Sequence, residues 1–249
     1  MEFKHLEERL DVEKIEDYFE VFSKINEPFH STLKYMLDIA STLDKVDLKK
    51  EYALFGGYGV LTHLAYKFGE KIIPIWRGSK DVDIIGTEKV KSTLRSFYNI
   101  PSESNNHNIK GGKRTLNIIG DEGECKVDFS LKEQKELLNY SEEKSLFGIP
   151  LNVMNPYEII RSKLHIPQDE SISEDMRLKH KTDILTLLGI IQDEEKGFAE
   201  IVKNLDEKMK YNLLRVLETG RGITENMRMS FGPKPEFRKL LTKYLRQHR

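Results

Sequence analysis

Residues 54–85, LFGGYGVLTHLAYKFGEKIIPIWRGSKDVDII, decide the fold. The apolar run Ala53-Leu54-Phe55 ends in the pair Gly56-Gly57, and Val60, Leu61, Leu64, Ala65 and Phe68 follow at helical spacing. A strand that ends in glycines and turns into a helix lets backbone approach a phosphate at the helix N-terminus. The stretch closes on Asp81-Val82-Asp83-Ile84-Ile85. In a strand, alternate residues share a face, so Asp81 and Asp83 project together while Val82 and Ile84 face the core. Two adjacent carboxylates repel unless a cation lies between them, which suggests Mg²⁺ or Mn²⁺, hard ions that take oxygen ligands. Taken alone, the glycines also read as a tight turn and the aspartates as a solvated strand end. Their joint occurrence, with Arg77 and Ser79 just before the aspartates, points to a phosphoryl-transfer site.

The 249 residues suffice for one large domain or two small ones. A net charge of −1 gives no global attraction to nucleic acid, so any basic patch has to be local. Cys125 is the only cysteine, which rules out an internal disulfide and fits a reducing cytoplasm. The N-terminus is charged throughout, unlike a secretory signal, and no apolar run approaches the roughly 20 residues of a membrane helix. The expected setting is cytoplasmic, without a membrane partner.

Along the chain, residues 4–24 and a segment from Pro28 to Leu43 read as helices that lean against a sheet. Strands are expected at 52–55, 71–76 and 81–85, and Thr87 caps a helix bearing Val90, Leu94 and Phe97. His63 reads as a surface or packing residue of the helix after the glycines, or as a ligand. Residues 101–112 read as a loop, and 114–119 and 124–129 as strands joined by a turn at Gly120–Gly123. Asp128 lies in the second of these, where acids are depleted. After a short strand at 151–154 the chain reads as helical: 157–165, 173–192, 198–218, 224–229 and 235–248. The expected fold class is α/β (α+β), with a mixed-sheet domain at 1–148 and a helical domain at 149–249.

The pieces Gly56-Gly57-Tyr58-Gly59-Val60-Leu61 and Arg77-Gly78-Ser79-Lys80-Asp81-Val82-Asp83 resemble the nucleotidyltransferase superfamily of the DNA polymerase beta type. They look most like AbiEii-type toxins, which read GGTAL and then R-x-S-x-D-x-D. The chain departs from that pattern in a longer gap, with residues 68–76 as an inserted turn and strand, and in Tyr58, which replaces the usual Thr. Tyr157 to Leu164 is similar to the helix that carries a lysine in those proteins, here Lys163. Arg177 to Ile184 resembles their R-x-K-D-x-x-D motif, with His180 in place of Asp, and marks Lys179 and Asp183.

The resemblance implies a metal-dependent nucleotidyltransferase. Asp81, Asp83 and Asp128 would be catalytic metal ligands; Gly56, Gly57, Arg77, Ser79, Lys163, Lys179 and Asp183 would contact a nucleoside triphosphate. Trp76, Tyr58 or a later Tyr is a candidate to stack on the base. The implied acceptor is a tRNA end or other RNA, a protein hydroxyl or a small molecule. A toxin with a cognate antitoxin, or a phage-defence component, is the implied setting. Solvated lysines remain the alternative for the helical half, and a non-catalytic nucleotide-binding or toxin-antitoxin interaction module the alternative for the whole. The basic run Arg238, Lys239, Lys243, Arg246 and Arg249 reads as an RNA contact or a solvated helix face.

Overall fold

The structure, a computed structural model, describes residues 14–100, 113–120, 123–130, 134–165, 172–194, 197–203, 205–220 and 231–247. By internal contacts the chain divides into two compact units, Met1–Asn155 and Pro156–Arg249.

In the first unit six strands form one mixed sheet: β1 (Tyr52–Leu54), β2 (Asp81–Gly86), β3 (Lys113–Gly120), β4 (Gly123–Ser130), β5 (Ser141–Leu146) and β6 (Ile149–Met154). Their spatial order is β3-β4-β2-β1-β6-β5. β1 runs antiparallel to β2 and parallel to β6; β2 and β4 are parallel; the β3–β4 and β5–β6 pairs are antiparallel. All three residues of β1 are buried, which suits a central strand covered on both faces. The last strand sits inside this sheet beside β1, so the first unit extends past Gly148 to Asn155.

Among the described residues, five helices accompany the sheet: α1 (Ile15–Phe22), α2 (Phe29–Lys45), α3 (Gly56–Phe68), α4 (Glu88–Phe97) and α5 (Gln134–Leu138). Helix α2 buries Leu33, Met36, Leu37, Ala40 and Leu43 and packs across β4, β2 and β6. Helix α3 packs on β5, β6 and β2. Thr87 caps α4 as expected, its side chain accepting from the Val90 amide at 3.4 Å.

Two features of this unit differ from the sequence reading. Residues 70–75 form a 3₁₀ helix instead of a strand. Gly69, at φ +86°, ends α3, Pro74 offers no amide to a ladder, and both sides of β1 are already taken by β2 and β6. Strand β5, with sequence SEEKSL, was not expected; as an edge strand it needs little apolar alternation. The expected helix over 4–24 is described only from Ile15, and the loop at 101–112 and the short helix at 224–229 lie outside the described residues.

The second unit holds α6 (Pro156–Lys163), α7 (Glu174–Ile191), α8 (Gly197–Lys203), α9 (Glu207–Thr219) and α10 (Pro235–Gln247). Helix α7 is its centre, buried continuously from Thr182 to Ile191. The single helix expected over 198–218 is broken, because Asp206 starts a new one by accepting from the Met209 amide at 2.7 Å.

His63 is a packing residue of the first unit, 3% exposed, with Nε2 2.8 Å from the Met154 carbonyl oxygen. A carbonyl only accepts, so the neutral ring carries its proton on Nε2. Burial holds the His63 pKa below its ordinary 6.5, against the Met154 carbonyl and Glu142, which favour the proton. The unfolded chain therefore takes up this proton at higher pH than the native one. His63's contribution is complete above about pH 6.5 and is lost as pH falls through the lower native value. Melting temperatures between about pH 7 and 5.5 should fall less steeply for His63→Gln, which keeps a donor for Met154 and cannot titrate; equal slopes would show that His63 does not carry the acid sensitivity.

Candidate active site on the carboxylate face of the sheet

β2 alternates as its sequence requires: Val82 and Ile84 are buried, whereas Asp81 and Asp83 are partly exposed. The register sets Asp81 opposite Lys126 and Asp83 opposite Asp128 on β4. On β3, Asn117 stands opposite Lys126 and Thr115 opposite Asp128. Side chains in register on neighbouring strands share a face. Asp81, Asp83, Lys126, Asp128, Thr115 and Asn117 thus form a polar face, and Val82, Ile84, Val127, Phe129, Leu116 and Ile118 form the buried one.

The glycine pair meets this face at the end of β1. The Phe55 amide donates to the Asp83 carbonyl at 3.0 Å, after which Gly56 takes φ +56° and α3 begins. A Cβ on Gly56 would lie 1.9 Å from Asp83 Oδ2, and one on Gly57 would lie 2.8 Å from Ser79 Oγ and 3.3 Å from Arg77 Nη2. Side chains this close can be accommodated only because both positions are glycine. The amides of the first helical turn, which have no partner within the helix and favour negative charge, therefore lie beside Ser79, Arg77 and Asp83.

A hydrogen-bond relay fixes the segment before the aspartates. Tyr58 OH donates to Thr32 Oγ1 at 2.6 Å, Thr32 Oγ1 donates to the Ser79 carbonyl at 2.8 Å, and Ser79 Oγ donates to Asp81 Oδ1 at 3.1 Å. Burial pushes the Tyr58 phenol well above its ordinary pKa, so it remains a donor. The departure from Thr at position 58 thus has a structural role under the loop. Trp76 packs against Phe29 and Tyr58, and the Arg77 guanidinium lies 4.8 Å from the centre of its ring. Tyr58 is wholly buried and Trp76 is 4% exposed, so neither presents an open ring face to a base, contrary to the expected stacking role.

Asp128 is held by two neighbours. Thr115 Oγ1 donates to Oδ1 at 2.8 Å and Lys126 Nζ to Oδ2 at 2.9 Å. Burial disfavours the Lys126 ammonium, but the Asp128 hydrogen bond and the charges of Asp128, Asp81 and Asp83 raise its pKa on balance. Lys126 was missed in the sequence, although Lys-Val-Asp at 126–128 places it on the face of Asp128 by simple alternation. Among the described residues no group of three His, Cys, Asp or Glu side chains could hold a metal ion. Asp81 and Asp83 are the right donors for a hard divalent ion that arrives with phosphates. Asp128 shares their face, yet its oxygens are engaged elsewhere.

With this geometry in view, the chain is similar to the crystal structure of an antigenic nucleotidyltransferase-like protein from Paracoccidioides brasiliensis. The likeness has 14% identity and a TM-score of 0.43, over 81% of this chain and 93% of that one. No family model matches the sequence, and no curated protein does. No helix among the described residues is long and apolar enough to cross a membrane.

The remaining expected contacts lie in the second unit. Lys163 Nζ donates to Asp183 Oδ2 at 2.7 Å, with side chains 5% and 1% exposed. Asp183 therefore pairs with Lys163 inside the unit, while Lys179 is exposed on α7. Removing one member of a buried pair leaves the other charge uncompensated, typically at about 3–5 kcal/mol. Lys163→Ala should lower unfolding free energy by about that amount in urea, and Lys179→Ala by less than about 0.5 kcal/mol. Equal, small effects would show that the pair is not a structural element.

Proposed function

We propose that the chain is a metal-dependent nucleotidyltransferase that moves a nucleoside monophosphate from a nucleoside triphosphate to an acceptor hydroxyl, releasing pyrophosphate. The observation that carries this reading is the approach of Gly56 to Asp83, which sets a helix N-terminus against a carboxylate strand. In this reading the first-turn amides of α3 bind phosphate oxygens, with Ser79 and Arg77 flanking them. Asp81 and Asp83 would hold Mg²⁺ or Mn²⁺, which when bound neutralises phosphate charge and acts as a Lewis acid. Asp128, on the adjoining strand, would join them as a further metal ligand beside the acceptor hydroxyl.

The finer assignments follow the sequence motifs. A toxin of the AbiEii type, paired with an antitoxin, is the setting they suggest. An RNA acceptor such as a tRNA end would find positive charge at the exposed Lys239 and Lys243 of α10. The alternative of a nucleotide-binding module without turnover has one observation in its favour, the engagement of Asp128 by Lys126.

Incubation with α-³²P-labelled nucleoside triphosphates, Mg²⁺ and an acceptor panel of tRNA, protein and small hydroxyl compounds separates these readings. Transfer of label is expected, with Asp83→Asn reducing it by about 10²–10³-fold at unchanged melting temperature. Label bound but never transferred would leave the binding module, and wild-type turnover by Asp83→Asn would remove the carboxylate from the chemistry.

A further inference from the structure

Among the described residues, Lys126 is the cation that the β2–β4 register brings onto the face of the three aspartates. Its ammonium sits on Asp128 Oδ2 at 2.9 Å, while its position on β4 is directly opposite Asp81. The two members of the pair differ in setting. The Lys126 side chain is 47% exposed and Asp128 only 12%, so the lysine can swing into solvent whereas the carboxylate stays, held also by Thr115. Exposed ion pairs contribute little stability, and this one can be opened at small cost. An arrangement in which the mobile partner is the cation behaves as a plug that a stronger cation can replace.

We propose that Lys126 is a tethered counter-cation that competes with a divalent ion for Asp128. The first ion is taken by Asp81 and Asp83, and Asp128 becomes a ligand only when the ammonium is displaced. This rests on the metal-dependent reading above, and it accounts for three aspartates sharing a face without forming a three-carboxylate ion site.

The test uses the full chain and Mn²⁺ alone, with free ion read by electron paramagnetic resonance. Lys126→Met should bind Mn²⁺ about tenfold more tightly than wild type, or take up a second ion, and Lys126→Arg should stay close to wild type. In an Asp128→Asn background the Lys126→Met change should lose its effect, because the competition is for that carboxylate. Wild-type chain adds a readout that needs no variant: acetylation of Lys126, followed by mass spectrometry, should rise as Mg²⁺ is added. Unchanged Mn²⁺ binding by Lys126→Met, an effect that persists in full without Asp128, or unchanged acetylation would each overturn the proposal. Asp81→Asn and Asp83→Asn separate it from the broader reading. If they abolish Mn²⁺ binding while Lys126→Met is silent, only the role of Lys126 fails. If they leave Mn²⁺ binding intact, the metal assignment itself fails.

Discussion

The site depends on the absence of a side chain at Gly56. The positive φ there turns the chain sharply from β1 into α3, and the missing Cβ lets the first helical turn come within contact distance of the Asp83 carboxylate. Any L-residue would add backbone strain to a direct clash, because neither the strand nor the helix start can retreat: the Phe55 amide is bonded to the Asp83 carbonyl. One glycine thus joins the two halves of the candidate site, the amides that suit phosphate and the carboxylates that suit a cation.

Electrostatics then limits what the carboxylate face can do alone. Three aspartates on neighbouring strands repel one another, and Lys126 and the Thr115 hydroxyl are both directed at Asp128. Asp81 has its own donor in Ser79. The carboxylates of this face are partly exposed, so water shares in screening them. The second unit shows the opposite solution: Lys163 and Asp183 neutralise each other out of contact with water, which suits a structural role.

Much of this was legible in the sequence, wherever the signal was local. Strand alternation in Asp81–Ile85, the β3–β4 hairpin around Gly120 and Gly123, and the Thr87 cap are patterns within a few residues, and the structure contains each. What escaped depended on neighbours. β5 is polar because it lies at an edge, residues 70–75 are excluded from the sheet because β1 has no free side, and Asp183 pairs with Lys163 rather than with Lys179 one turn away. Lys126 falls between these cases. Its face could be read from its spacing to Asp128, but its nearness to Asp81 needed the β2–β4 register.

The relay from Tyr58 through Thr32 to Ser79 has a consequence for how the site comes into being. Its members lie on α3, on α2 and in the segment before β2, and the carboxylate it steadies faces β4, so closing the site requires contacts between residues 32, 58, 79, 81 and 126. Contacts this distant in sequence form late, after the entropy of several loops has been surrendered. No fragment that begins at β1 contains them all, even one that holds Asp81, Asp83 and Asp128. The N-terminal helical layer is thus part of the candidate site's foundation, and the nascent chain has no assembled site until β4 has been made.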